Sequence, residues 1–316
     1  MIILGVETTA HTFGVGIIND QGEVLANAKD SYTSKDIGMI PNEIADHHEE
    51  VAERILKEAF EQSRLQWKDI AFIAYSAGPG LDPALWAGYK IAKRWAEENE
   101  KKLVGVNHCC AHLSIGKVFN NLKDPCYLYV SGVNTQIIVQ EKGKYRVMGE
   151  TLDIGLGNML DKIGRIMGLG FPAGPQIEKL AQGGSYVELP YTIKGMDISF
   201  SGVLTKLRQL YEQKKATVQD LCFSMQEVCF AMLAEVVERA MAHTGKQELL
   251  LVGGVGANKR FCEMLGIMCK ERGAQFYKVP IALAGDQGAM IAWEGFLHRE
   301  EPINFEVDPH WRADEV

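Results

Sequence analysis

Proline is scarce in this chain, with 10 in 316 residues, and there is no C-x-x-C pair, no apolar run of membrane-spanning length and no surplus of positive charge. Each shortage excludes something. Few prolines, with 47% hydrophobic and 23% charged residues, exclude a disordered or low-complexity chain. The cysteines (Cys109, Cys110, Cys126, Cys222, Cys229, Cys262 and Cys269) are odd in number and sit mostly in apolar surroundings. That excludes a disulfide framework and predicts reduced, buried thiols. The opening run Met1-Ile2-Ile3-Leu4-Gly5-Val6-Glu7 has no basic lead-in and soon meets a carboxylate, so a strand is expected there, not a signal peptide. With no stretch of about 18 apolar residues, a membrane span is not expected, and the expected setting is the cytoplasm. The formal charge of -8 makes the surface as a whole a poor partner for nucleic acid or anionic lipid; a polyanionic substrate needs a local basic patch or a basic partner.

What is present is glycine, 32 residues of it, and a pattern that occurs twice. Residues 2–7, 13–18 and 23–26 read as a three-strand meander with a small-polar break at Thr8-Thr9-Ala10-His11. Residues 126–130, 136–140 and 145–147 repeat the plan with a break at Ser131-Gly132-Val133-Asn134-Thr135. Helices follow each copy, at 41–64 and 85–98 in the first and at 155–183, 218–244 and 258–272 in the second, with further strands at 70–74 and 249–252. Two α/β halves follow from this order. Paired turns rich in Gly, Ser and Thr suit the grip of one phosphate chain from two sides, because main-chain N–H groups can approach the oxygens closely; ordinary hairpin turns are the alternative for either loop alone. A third cluster, Gly253-Gly254-Val255-Gly256-Ala257-Asn258, follows an apolar strand and opens a helix, a geometry that faces an anion or an adenine-ribose.

His108 and His112 stand four residues apart on a stretch that reads as helical, so both imidazoles project from one face, a spacing that suits a divalent metal; taken alone, paired surface or core histidines are the commoner explanation of that spacing. Cys109 occupies the place of the glutamate in H-E-x-x-H, which disfavours zinc peptidase chemistry. Asp286, just before a helix, is the best-placed further ligand. His47 and His48 lie among Asp46, Glu49 and Glu50, and a solvated helix face is expected there.

The runs 5–11 (GVETTAH), 76–81 (SAGPGL), 106–116 (VNHCCAHLSIG), 128–136 (LYVSGVNTQ), 149–154 (GETLDI), 157–161 (GNMLD), 197–202 (DISFSG), 253–258 (GGVGAN) and 285–292 (GDQGAMIA) together resemble the universal tRNA threonylcarbamoyladenosine synthases in their archaeal and eukaryotic form, the catalytic subunit of the KEOPS complex. The likeness covers nearly the whole chain. It implies a duplicated α/β fold of the actin and hexokinase-like ATPase (ASKHA) type, two lobes with nucleotide and metal in the cleft. The expected lobes are residues 1–124 with 292–316, and residues 125–291. The resemblance implies an iron or zinc ion on His108, His112, Tyr129 and Asp286. It implies an adenine nucleotide against Ser131, Gly132, Asn134, Thr135, Asp161, Gly174, Glu178 and Asn258. The implied reaction is metal-dependent acyl transfer: a threonylcarbamoyl group passes from threonylcarbamoyl-AMP to the exocyclic amine of the adenosine beside the anticodon, in tRNAs reading codons that start with A. Glu7 or His11 would assist removal of the amine proton. The implied partners are tRNA, a kinase-like ATPase subunit, a small dimerisation subunit and a kinase-activating subunit. Val133 stands where the family pattern has glycine; a β-branched residue there opposes positive φ, so weakened nucleotide binding is expected. A sugar or small-acid kinase of the same superfold, a metallopeptidase and a nucleotide-binding scaffold are the competing readings. Kinases of this superfold usually need a catalytic Asp at one hairpin, where Glu7 and Ser131 stand instead.

Overall fold

Strand and helix follow one another in an order that the chain runs through twice. The computed structural model describes residues 1–33, 40–301 and 303–316. The chain opens with β1 (Ile2–Glu7), β2 (Thr12–Asn19) and β3 (Val24–Ser31), then α1 (Pro41–Ser63), β4 (Phe72–Gly78), α2 (Asp82–Glu98), β5 (Lys102–Asn107) and α3 (His108–Phe119). It continues through β6 (Cys126–Val130), β7 (Thr135–Glu141), β8 (Lys144–Glu150), α4 (Leu156–Ile166), α5 (Gly174–Ala181), the short pair β9 (Ile193–Lys194) and β10 (Asp197–Ile198), α6 (Ser201–Glu212) and α7 (Val218–Thr244). Then come β11 (Glu248–Val252), α8 (Lys259–Glu271), β12 (Gln275–Lys278), α9 (Ile281–Ala284) and α10 (Gly288–Leu297).

The five-stranded sheets have orders β3-β2-β1-β4-β5 and β12-β11-β6-β7-β8. In both, the three meander strands are antiparallel and the two later strands join in parallel. β6 therefore plays the part of β1, and β11 that of β4, as the repeated pattern predicts. Parallel strands need crossover connections, and helices supply them. The helix expected over 155–183 is instead two, α4 and α5. The break has a local cause: Gly168 and Gly170 have φ of 72° and 78°, which no α-helix contains, and Pro172 follows. All seven cysteines are free thiols, and all but the half-buried Cys262 are buried.

The chain divides into two units, residues 1–119 with 285–316, and residues 120–284. The return point thus lies before Asp286, earlier than the boundary expected at 291/292. The cause is the packing of α10. Its first residue, Gly288, lies so close to β1 and β2 that an added Cβ would meet Gly16 N at 2.1 Å and the Gly5 carbonyl at 2.6 Å. A Cβ on Gly16 would lie 2.0 Å from Ala289 N, and one on Gly5 would lie 2.2 Å from the Gly288 carbonyl oxygen. Backbone packs on backbone, and α10 is held to the first sheet.

Replacing Gly16 by alanine should therefore lower stability by about 3 kcal/mol or more, because overpacking here meets main chain that has no rotamer to change. Gly183, with nothing within 4 Å of an added Cβ, is the control. The denaturant midpoint should fall sharply for Gly16→Ala and hardly move for Gly183→Ala.

Candidate functional site

β5 runs directly into α3, so His108 is the first helical residue and His112 follows about one turn later on the same face. Asn107 fixes that junction: its Oδ1 accepts from the backbone N–H groups of Cys109 (2.9 Å) and Cys110 (3.1 Å), and its Nδ2 donates to the Trp311 carbonyl at 3.0 Å. Asp286 arrives from the far end of the sequence, two residues before α10. The neighbouring Gln287 caps that helix by accepting from Met290 N at 3.2 Å.

The ligand atoms of His108, His112 and Asp286 lie within 4.8 Å of one another, the one such cluster among the described residues. Asp286 Oδ1 is 3.2 Å from His112 Nε2 and 3.6 Å from His108 Nε2, and the two rings are edge-on with centroids 4.7 Å apart. Two imidazole nitrogens from buried histidines and an oxygen of the partly buried Asp286 are a donor set that fits a divalent cation of the zinc or iron kind. Glu7 stands behind them. Its Oε2 is 3.0 Å from His108 Nδ1, so in the neutral imidazole Nδ1–H donates to Glu7 and the Nε2 lone pair turns toward Asp286, the usual way a carboxylate orients a metal-binding histidine. Glu7 is fully buried, and its other oxygen accepts from the backbone N–H and the hydroxyl of Thr9.

Burial alone would push the His108 pKa down, but the charge and hydrogen bond of Glu7, with the charge of Asp286, raise it to about 9. Burial and the neighbouring His108 lower His112, against the hydrogen bond of Asp286. Burial would raise Asp286, yet the His112 hydrogen bond and both imidazoles hold it well below the usual carboxylate range. Without a cation, then, the proton on His108 occupies the place that a metal charge would take.

Tyr129, the fourth expected ligand, is buried on β6 in the second unit. His11 is half-buried in the β1–β2 turn. His48 departs from expectation: α1 does expose Asp46, Glu49 and Glu50, but His48 is completely buried. Its spacing from Ile44, Val51, Ala52 and Ile55 places it on the apolar stripe, a signal masked by the charges on either side.

The residues expected to meet a nucleotide all lie in the second unit. The β6–β7 loop rests on the start of α4: Gly157 N donates to the Ser131 carbonyl (3.1 Å) and Asn158 N to the Gly132 carbonyl (2.9 Å). A Cβ on Gly132 would come within 3.2 Å of Asn158 Oδ1. Asn134 N donates to Ser131 Oγ at 3.1 Å, closing the loop. Thr135 is fully buried, with Oγ1 accepting from Leu156 N at 2.9 Å, so it supports the loop from beneath. Val133 is 71% exposed and is absent from the residues with positive φ; the loop does not use the left-handed conformation there, which removes the steric ground for expecting weaker binding. Asp161 Oδ1 accepts from Ala173 N (2.8 Å), fixing the entry to α5 beside Gly174. Glu178 Oε1 accepts from Lys259 N (2.8 Å), while Asn258 caps α8 through Phe261 N at 3.0 Å and donates to Gln226 Oε1 at 2.6 Å. Glu178, Asn258 and the 3-10 turn Gly254–Ala257 thus meet at one helix N-terminus.

Sequence reasoning also passed over Asp153. Its carboxylate accepts from Ile154 N (2.7 Å), Phe200 N (3.0 Å), Ser201 N (3.0 Å) and the Ser199 hydroxyl, joining the 149–154 and 197–202 runs. Those four donors outweigh partial burial and hold its pKa far below the usual range. Both motifs were visible in the sequence, but not that one serves the other.

A family model described as TsaD, tRNA N6-adenosine threonylcarbamoyltransferase, matches residues 22–293. Proteins named tRNA N6-adenosine threonylcarbamoyltransferase are 49% identical in Thermococcus kodakarensis, over all of this chain and 98% of that protein, and 50% identical in Thermococcus sibiricus, over 98% of this chain and 95% of that protein. Among solved structures, T. kodakarensis HypF aligns with a TM-score of 0.65 at 15% identity, over 95% of this chain and 48% of that one. That likeness speaks to the fold alone, an α/β fold whose sheet plan is used twice.

Metal binding must displace the His108 proton, so one proton should be released per ion, and apparent affinity should fall about tenfold for each pH unit below about 9. Titration with Zn²⁺ in buffers of different protonation enthalpy measures both. For the nucleotide loop, Val133→Gly should leave AMP affinity within about twofold of the parent, while lowering stability by about 0.5–1 kcal/mol through added chain freedom; calorimetry and a melting curve separate the two.

Proposed function

Because this chain belongs to the tRNA N6-adenosine threonylcarbamoyltransferase family, we propose that it moves a threonylcarbamoyl group from threonylcarbamoyl-AMP to the exocyclic amine of the adenosine beside the anticodon, in tRNAs reading codons that start with A. The observation that carries this reading is the convergence of His108, His112 and Asp286 with a carboxylate, Glu7, on the far nitrogen of His108. The donor leaves as AMP, so no serine or cysteine nucleophile is required. What remains is orientation and stabilisation of the negative charge that develops on the carbonyl.

His108, His112 and Asp286 would hold an iron or zinc ion that supplies Lewis-acid polarisation. Glu7 keeps His108 in the tautomer that presents Nε2. Both oxygens of Glu7 are engaged, so it serves as an orienting group and His11, half-buried in the same turn, is the better acceptor for the amine proton. The same engagement disfavours a kinase, which needs an available carboxylate at this hairpin. In the second unit, Ser131, Gly132 and Asn134 offer a loop open to phosphate. Gly174, Asp161, Glu178 and Asn258 would face the ribose and base, the last three with acceptors and an amide.

Charge divides unevenly between the units. Lys and Arg number 14 against 25 Asp and Glu in residues 1–119 with 285–316, and 19 against 16 in residues 120–284. The second unit is therefore where tRNA phosphates would meet the chain, and a kinase-like ATPase, a small dimerisation subunit and a kinase-activating subunit would add the remaining contacts. No helix of the described residues is long and apolar enough to cross a membrane; the cytoplasm, where tRNA is modified, is the proposed setting.

Incubating the chain with tRNA and threonylcarbamoyl-AMP, followed by nucleoside analysis, should yield N6-threonylcarbamoyladenosine. Asp286→Asn and His112→Ala should each lower the rate by roughly a hundredfold or more. A full rate in both would remove these residues from the centre.

A further inference from the structure

The β1–β2 turn, which carries Glu7 at its entry and His11 at its exit, is held at each residue by a different element of the first unit. Thr8 N donates to Ser76 Oγ at 3.0 Å. The Thr9 carbonyl accepts from Leu81 N, at the start of α2, at 2.8 Å, and the His11 carbonyl accepts from Tyr32 N, just after β3, at 2.8 Å. Gly88 and Gly80 let α2 and its lead-in lie against Thr8 and Thr9, where added Cβ atoms would come within 1.9 Å of Thr8 Oγ1 and 2.5 Å of the Thr9 carbonyl oxygen. The Ala10 carbonyl is met by a side chain: His48 Nε2 lies 2.9 Å from it.

We propose that His48 is a positioning residue for the catalytic centre, a latch from α1 that fixes the Glu7–His11 turn by donating from Nε2 to the Ala10 carbonyl. Packing alone does not explain the imidazole. His48 sits in the stripe Ile44, Val51, Ala52 and Ile55 with its ring 5.6 Å from that of Phe13, a place that an aliphatic side chain would fill without burying a ring nitrogen. Its Nδ1 is buried with no hydrogen-bond partner, so the polarity is spent on one bond, to the turn. A carbonyl only accepts, which places the hydrogen on Nε2. The neutral ring suits that bond, since burial keeps its pKa down near 4 despite the Ala10 bond and the charge of Glu7. The neighbouring His47 is separately committed to Asp30, 3.0 Å from its Nε2. The reach to the centre is short: Ala10 follows Thr9, which donates to Glu7, which in turn orients His108.

The inference rests on Glu7 and His11 belonging to the centre, and the test separates the two. Glutamine places an N–H donor near the position of Nε2, asparagine places one near Nδ1, and leucine has none. In the full chain, His48→Gln should keep the transfer rate within about threefold, whereas His48→Asn and His48→Leu should lose roughly tenfold to a hundredfold in kcat with the KM for tRNA unchanged. Hydrogen exchange over residues 8–12 should quicken in the Asn and Leu variants and not in the Gln variant. Equal losses in all three, or exchange in the Leu and Asn variants that matches the parent, would overturn the latch. If exchange follows the expected order while Glu7→Gln and His11→Ala retain full transfer, the latch stands as a contact and it is the assignment of the turn to the centre that falls.

Discussion

Where α10 crosses β1 and β2 there is no space for a side chain, and that lack of space fixes the position of Asp286. Gly5, Gly16 and Gly288 allow main chain to touch main chain, so the helix has little freedom to slide. The residue two places before it inherits that rigidity. Asp286 and His112 are separated by 174 residues in sequence, and the close packing of α10 on the first sheet is what brings their side chains to 3.2 Å. Glycines in a strand usually weaken it; here they exchange strand propensity for a close approach, and the approach is what gathers the centre.

A second constraint is electrostatic. His108 lies between two carboxylates in a buried place, with Glu7 on one nitrogen and Asp286 near the other. Isolated buried carboxylates are costly unless paired or coordinated. The pocket therefore calls for positive charge, and either a proton or a cation satisfies it. The arrangement gathers His108, His112 and Asp286 from the first turn of α3 and the segment before α10 onto the first sheet, while the residues expected to meet a nucleotide belong to a sheet of the same plan in the other unit.

Much of this was legible in the sequence, because the signals were local or repeated. The meander strands alternate with glycine-rich turns on a plan used twice, and the sheet orders bear the duplication out. His108 and His112 were legible as a pair because helical periodicity is short-ranged. Asp286 entered through its place before a helix and through the family resemblance. What stayed hidden depends on long-range contacts. The role of Glu7 as a histidine orienter needs the end of β1 to reach, past β4, the first residue of α3, and the role of Asp153 needs the turn after β8 beside the start of α6. Thr135 looked like part of a ligand loop, since a threonine beside Asn134 has the right chemistry; only its bond to Leu156 N shows that it faces inward. His48 was concealed in a different way, as an apolar-stripe residue among carboxylates whose exposure masked its own burial.

The first unit is discontinuous, built from residues 1–119 and 285–316, with a contiguous unit between them. On the ribosome, therefore, the inserted segment emerges whole and can collapse at once, whereas β1 and β2 wait with their glycine-lined face uncovered until α10 leaves the exit tunnel. His108 and His112 are made early and Asp286 late. The centre is thus completed only once residue 286 is made, and a nascent chain halted between residues 112 and 286 carries two imidazoles without Asp286 to close the set.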